Sequence, residues 1–268
     1  MIIIGEKING SIPAVGSAIA ERDDEIIRAR VRAQVAAGAD FIDCAASTES
    51  ELEYDAMRWL IDIIQSETDI PVCIDSPDAA LLARLIEEGV LNRPGMVNSV
   101  SLEGDKCELI FPLIAGTDWN VIGLTCDNES IPTDPNKRVE IAKGIIEKAD
   151  AAGIALKNLH IDPCVMSLAV APTSMTDFVS CIGAIHDFAP EVKVTGAISN
   201  ISYGMPARKY VNMSFMSAAV MAGLDSAIMD PTSDKMMGIL FAADAVCGND
   251  KGGRKYNRAY RKGLFGKK

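Results

Sequence analysis

The chain has little histidine: two residues, His160 and His186, among 268. Whatever chemistry it performs therefore has to be built from other polar groups. It also lacks cysteine pairing. Cys44, Cys73, Cys107, Cys126, Cys164, Cys181 and Cys247 are odd in number, form no C-x-x-C motif and sit mostly inside apolar runs. That usage excludes a disulfide framework, gives no reason to expect a structural zinc or iron–sulfur site, and reads as reduced, buried thiols in the cytoplasm. No run of about 18 apolar residues is present, so no membrane span is expected. The opening Met1-Ile2-Ile3-Ile4-Gly5 has neither a basic n-region nor a cleavage site, and does not read as a secretion signal. Basic charge is scarce as well. Against 37 Asp and Glu stand 26 Lys and Arg, for a net charge of −11, and eight of those cations lie in the last eighteen residues. The acidic body before them argues against nucleic-acid binding, which needs a basic footprint. Neither G-x-G-x-x-G nor G-x-x-x-x-G-K-S/T occurs, so no phosphate-cradling loop of those kinds is available.

What is present is a regular alternation of short apolar runs with longer amphipathic ones. Strands are expected at 2–5, 41–45, 72–75, 96–100, 121–126, 159–163, 194–199 and 227–230. Each is followed by a stretch with apolar residues recurring at three and four. The first such stretch carries Ile26, Ile27, Val31 and Val35 and stops at Gly38. The others run near 51–67, 78–88, 105–116, 135–152, 174–188, 208–223 and 234–246. Eight strand–helix units in about 250 residues match a single-domain α/β fold, the (β/α)8 TIM barrel, over residues 1–250. A doubly wound open sheet is the alternative, with fewer strands and often a glycine-rich loop. Residues 251–268 form a basic C-terminal tail, read either as a solvated or loosely docked terminus or as an arm for an acidic partner.

In such a barrel the chemistry sits at the C-terminal strand ends. Read in order, those ends carry Glu6, Lys7 and Asn9; Asp43; Asp75 and Ser76; Asn98 and Ser99; Thr125, Asp127 and Asn128; Asp162; Ser199 and Asn200; and Asp230. Carboxylates accept paired hydrogen bonds from amidine-like N–H edges, and asparagine donates and accepts at once. The ring therefore suits a flat heterocycle such as a pterin or purine, and equally a divalent cation. A strand-end Asp can instead cap the following helix, which is how Asp78 and Asp134 read. Asp75 and Asp162 precede Ser-Pro or Pro, which favours a site. Asn98 lies inside a strand, where asparagine is unfavourable without a partner. Alternation puts His160 on the same side of its strand as Asp162, lower in the barrel, and His186 reads as a helix-surface residue.

Several segments carry a resemblance in their order and placement: I-I-I-G-E-K-I-N at 2–9, C-I-D-S at 73–76, V-N-S-V at 97–100, I-G-L-T at 122–125, H-I-D-P at 160–163, I-S-N-I-S-Y-G-M-P-A-R at 198–208 and A-I-M-D-P at 227–231. In these the chain resembles the pterin-binding methyltransferases, and within them the methyltetrahydrofolate:corrinoid methyltransferases. The resemblance implies a barrel with tetrahydrofolate or 5-methyltetrahydrofolate as substrate in its mouth. It implies that Asp75, Asn98 and Asp162 hold the pterin edge, that Asn200 reaches N5, and that Tyr203 and Arg208 lie beside the folate. It also implies a homodimer, and a corrinoid (cobalamin) carried by a separate partner protein, since the D-x-H-x-x-G loop of corrinoid modules is absent. Two departures stand out. Asp43-Cys44-Ala45 replaces an Asp-x-Asn pattern, and Tyr203 stands where some members carry glutamine, so any role of that amide does not transfer.

Three other readings use the same residues. A dihydropteroate synthase-like enzyme would need cations near the mouth to bind diphosphate, whereas strand eight ends in Met229-Asp230-Pro231. A non-catalytic folate-binding partner of a corrinoid protein would keep Asp75 and Asp162 without needing Asn200. A metal-dependent aldolase would use the acids as ligands, with Lys7 as its one candidate Schiff-base lysine.

Overall fold

The computed structural model describes residues 1–128 and 130–266. Its strands are β1 Ile2–Asn9, β2 Phe41–Ala45, β3 Val72–Asp75, β4 Met96–Leu102, β5 Asn120–Asp127, β6 Leu159–Asp162, β7 Lys193–Val194 and β8 Ser226–Met229. Around them run α1 Pro13–Glu21, α2 Asp24–Ala36, α3 Ser50–Glu67, α4 Ala79–Glu87, α5 Lys106–Ile114, α6 Pro135–Ala151, α7 Ser174–Phe188, α8 Arg208–Ala222, α9 Asp234–Val246 and α10 Arg254–Arg261. The strands pair in parallel in chain order, with β1 beside β8. Past the end of β7, Ala197 bridges Ile228, and the Ile228 amide donates to Gly196 at 3.0 Å. These bonds complete the ring, and the expected (β/α)8 barrel is the fold. Among the described residues no helix is long and apolar enough to cross a membrane.

Two of the expected strands differ most in extent. β1 runs on to Asn9, so Glu6 and Lys7 lie within it rather than after it. β7 is two residues long, and the expected strand 194–199 gives way to a 3-10 turn over Ile198–Ser202. Local bonds close that turn in place of a ladder: the Asn200 backbone N–H donates to the Ala197 carbonyl, the Tyr203 backbone N–H to the Asn200 carbonyl, and Ser202 Oγ to the Ser199 carbonyl at 3.3 Å. Two helices, α1 and α10, stand where none was expected. α1 begins on a proline and holds Gly16, where a Cβ would lie 2.6 Å from the Gly10 carbonyl oxygen. Within the basic tail, Arg254–Arg261 form α10. Asp250 accepts from the Lys255 and Tyr256 amides at 2.9 Å, and buried Phe265 packs on Phe241, Tyr256 and Tyr260. The two helix caps read from sequence are present: Asp78 accepts from the Ala80 and Leu81 amides, and Asp134 from Asn136.

Most of the core lies between strands and helices, in the Ile, Leu and Val that face outward from each strand. A smaller cluster of Ile4, Phe41, Cys73, Met96, Ile122 and Ile228 plugs the barrel itself. Burying each of its large side chains contributes about 1.5–3 kcal/mol. Below that plug is a polar layer. His160, fully buried, holds Ser226 Oγ at 2.7 Å and Asn120 Oδ1 at 3.3 Å. His186 is on α7, half-buried, with Nε2 2.9 Å from Asp225.

Burial pushes the His160 imidazole down to about 3. The native state therefore holds it neutral while the unfolded chain takes up a proton below about 6.5. Between about pH 3 and 6.5 the unfolded state binds more protons, so stability falls as pH falls. We expect the stability advantage of the native chain over His160→Asn to be full above about pH 6.5 and to shrink by up to about 1.4 kcal/mol per pH unit below it. Urea unfolding of both proteins across that range measures the gap, and a constant gap rules the effect out.

Candidate active site

Inward-facing positions in a barrel recur every second residue along each strand. Counting two up from the apolar plug gives Glu6 above Ile4, Asp43 above Phe41, Asp75 above Cys73, Asn98 above Met96 and Asp230 above Ile228. Asp162 stands above His160 in the same way. All six line one cavity of about 780 Å³ at the C-terminal end of the barrel, within the ~300–1,000 Å³ range of small-molecule sites.

The carboxylates in it are crowded and poorly solvated. Burial, with Glu53 nearby, raises Asp75 to about 7. Burial raises Asp162 to about 7 against the pull of the Cys164 amide, which donates at 2.8 Å, and of Arg138. Asp43 is pushed well above the usual carboxylate range by burial and by Asp75, while Asn98 Nδ2 donates to it at 3.4 Å. Glu6 rises to about 7 through burial and the neighbouring Asp230. Asp230 in turn pairs with Lys7 at 3.2 Å. A ligand that brings N–H donors into this ring would relieve that desolvation.

Asn200 lines the same cavity from the 3-10 turn after β7. Two bonds from Arg208 pin the turn: Nη2 donates to the Ser199 carbonyl at 2.7 Å and Nε to Ser202 Oγ at 3.0 Å. Ser199 Oγ donates to Glu6 at 3.4 Å, tying the turn to β1. Arg208 thus lines the cavity and also holds the loop that presents Asn200. The Asn200 amide side chain has no hydrogen-bond partner in the protein among the described residues, which leaves it available to a ligand.

Five of the six residues singled out from the sequence, Asp75, Asn98, Asp162, Asn200 and Arg208, therefore share one cavity. Tyr203 does not line it. Its ring is largely exposed on the rim, 5.9 Å from the Arg208 guanidinium, because the turn ends before it and Gly204, at φ 77°, leads the chain away. Thr125 is buried against Cys164 rather than facing the cavity, and Asn128 accepts from the Gly104 amide. Sequence reasoning missed the wall formed by Lys209, Asn212 and Met213 of α8 and Lys235 and Met236 of α9. Its only signal was that helices following barrel strands begin at the mouth. Buried Arg138 on α6 was missed too. It donates to the carbonyls of Pro132 at 2.6 Å and of Pro163 and Cys164 at 3.2 Å, fixing the loop after Asp162.

A family model described as pterin binding enzyme matches residues 15–230. The chain is 45% identical over 268 residues to the methylcorrinoid:tetrahydrofolate methyltransferase of Eubacterium limosum, covering 99% of this chain and 98% of that one. It is 29% identical over 243 residues to the methionine synthase of Mycobacterium tuberculosis, a match covering 85% of this chain but 20% of that longer protein. Among solved structures, dihydropteroate synthase from Xanthomonas albilineans with 4-aminobenzoic acid superposes at a TM-score of 0.68 and 19% identity, over 91% of this chain and 92% of that one. At that identity the likeness concerns the fold.

Proposed function

The chain belongs to the pterin-binding enzyme family, and from that premise we propose that it is a methyltransferase moving a methyl group between N5 of tetrahydrofolate and the cobalt of a corrinoid. One observation carries the reading: Asp75, Asn98 and Asp162, on three different strands, converge with Asn200 on a single cavity. The near full-length likeness to a methylcorrinoid:tetrahydrofolate methyltransferase supports it. Asp75, Asn98 and Asp162 take the donor–acceptor edge of the pterin. Asn200 meets N5, and Arg208 holds Asn200 in place. The corrinoid is a co-substrate brought to the mouth by a partner protein.

The same reading makes the molecule a cytoplasmic homodimer with neither nucleic acid nor membrane as partner, built as a barrel over 1–250 with a tail over 251–268. The acidic composition and the seven free cysteines are consistent with it. The relative's name puts the methylcorrinoid on the donor side. The residues serve either direction, because both pass through the same transition state.

Binding supplies the test. Charge-assisted hydrogen bonds are worth about 1.5–3 kcal/mol, so Asp75→Asn and Asp162→Asn should each weaken tetrahydrofolate binding about 10- to 100-fold by calorimetry. Asp75 and Asp162 both titrate near 7 in the ligand-free protein, and N–H donors favour their ionised forms. Binding near neutral pH should therefore release protons, and affinity should rise as pH climbs through 7. Titrations in two buffers of different ionisation enthalpy measure the release. Unchanged affinity in both variants would sink the pterin assignment.

A further inference from the structure

The cavity walls are chemically divided. Strands β1 to β4 and β6, with Asp230 just past β8, supply carboxylates and Asn98, whereas α8 and α9 supply Arg208, Lys209 and Lys235 with Met213 and Met236. Because each helix returns antiparallel to its strand, Lys209 and Lys235, in the first turns of α8 and α9, stand at the rim. Asn212 and Met213 lie about one turn further along α8. Two of the cavity's cations are already engaged: Lys7 with Asp230, and Arg208 with the turn that carries Asn200. Lys209 and Lys235 make no ion pair among the described residues. Lys209 Nζ stands 4.8 Å over the Tyr210 ring, and both side chains are exposed.

A second observation lies between them and the acidic floor. Asn212 Oδ1 is buried with no hydrogen-bond partner among the described residues. An acceptor left in that condition is destabilising, and a ligand N–H would relieve it.

We propose that the α8–α9 wall is a subsite for the anionic arm of the folate: an aryl ring on Met213 and Met236, an N–H of the linking arm on Asn212, and γ-glutamyl carboxylates on Lys209 and Lys235. This rests on the folate reading and adds to it a preference for substrates with longer glutamyl tails. The divided walls suit a ligand with an N–H-rich head and a polyanionic end. Methionine is a fitting bed for an aromatic ring, since its flexible thioether makes favourable contacts with ring edges.

The experiment compares three ligands by calorimetry: a tail-less 5-methyltetrahydropterin, 5-methyltetrahydrofolate monoglutamate, and its triglutamate. Each is titrated into the unmodified protein and into the Lys209→Gln/Lys235→Gln double variant. Exposed charge pairs strengthen binding by a factor of a few each, about fivefold at most. In the unmodified protein, affinity should therefore rise about tenfold from tail-less ligand to monoglutamate and further to triglutamate. That gain should shrink as salt is raised. The double variant should keep its affinity for the tail-less compound and the part of the gain that the aryl ring and the linking N–H supply, and should lose the salt-sensitive rise with tail length. Tail-less binding with no effect of tail length removes the subsite alone, as does a double variant that retains the full gain. Failure of all three compounds to bind removes the folate reading and the subsite with it. Should the double variant not fold, the tail-length and salt series in the unmodified protein decides by itself.

Discussion

Asn200→Ala is expected to slow single-turnover methyl transfer by about ten- to a thousand-fold, the scale on which one preorganised polar contact acts in a transition state. Transfer from N5 breaks a carbon–nitrogen bond whose nitrogen is a poor leaving group unless a proton or a strong hydrogen bond stabilises the electron pair it takes. In the reverse direction the same nitrogen attacks and acquires positive character. The Asn200 amide meets both needs without changing charge, since its oxygen accepts from a protonated N5 and its NH₂ donates to the lone pair. Its position supports this role. Arg208 anchors the turn on either side of it at Ser199 and Ser202, and the Asn200 side chain has no partner among the described residues. The loss should appear mainly in the rate of the chemical step, read from the cobalt absorbance of a corrinoid mixed with enzyme and folate, with folate affinity changing by much less. Asn200→Asp retains only the acceptor and should fall between the two. Near-normal single-turnover transfer in Asn200→Ala would remove the assignment.

Arg138→Met should destabilise the protein by about 3–5 kcal/mol, because each buried carbonyl left without a donor costs about 1–3 kcal/mol. The guanidinium lies 2% exposed and donates to three backbone carbonyls, those of Pro132, Pro163 and Cys164. Methionine fills much of the volume but donates nothing, so three acceptors lose their partner in a place water reaches poorly. A functional consequence follows from the same contact. Arg138 is one of the influences holding the Asp162 carboxyl down against burial. Without it Asp162 should ionise only at higher pH, and the pH at which folate affinity rises should move upward with it. Urea unfolding measures the first effect and calorimetry at several pH values the second. A stability loss under about 1 kcal/mol would mean that the three carbonyls find other donors, and an unmoved pH profile would mean that Arg138 acts on the loop alone.

The barrel was legible because its determinants are local. Runs such as Val72–Asp75 and Leu159–Asp162 read as strands from composition, and Asp78 and Asp134 read as caps from their place before a helical period. The strand ends then offered Asp75, Asn98 and Asp162 as site candidates, and the resemblance, not the spacing, implied that they hold a pterin. Where local bonding competes with the ladder, the reading failed. Main-chain bonds and the Ser202 hydroxyl close a 3-10 turn over Ile198–Ser202, and β7 stopped at Val194. The tail read as a charged terminus because its few apolar residues, Ala259 and Phe265 among them, gain burial only against α9 and Phe241.

The amino-acid sequence by itself determined the strand–helix alternation, the inward acids and amides at the strand ends, and a site built with almost no imidazole. These depend on residue type and on spacings of two to four, which neighbours along the chain enforce. Only the tertiary structure decided which of the many polar side chains share a cavity. It put Tyr203 on the rim and Thr125 in the core, set Lys7 against Asp230, and brought Arg138 under the loop after Asp162. It also turned the first residues of α8 and α9 into a wall facing the carboxylates. Such pairings join residues up to 223 positions apart, as Lys7 and Asp230 are. They arise only when the ring of strands closes and burial raises the energy of every unpaired charge within it.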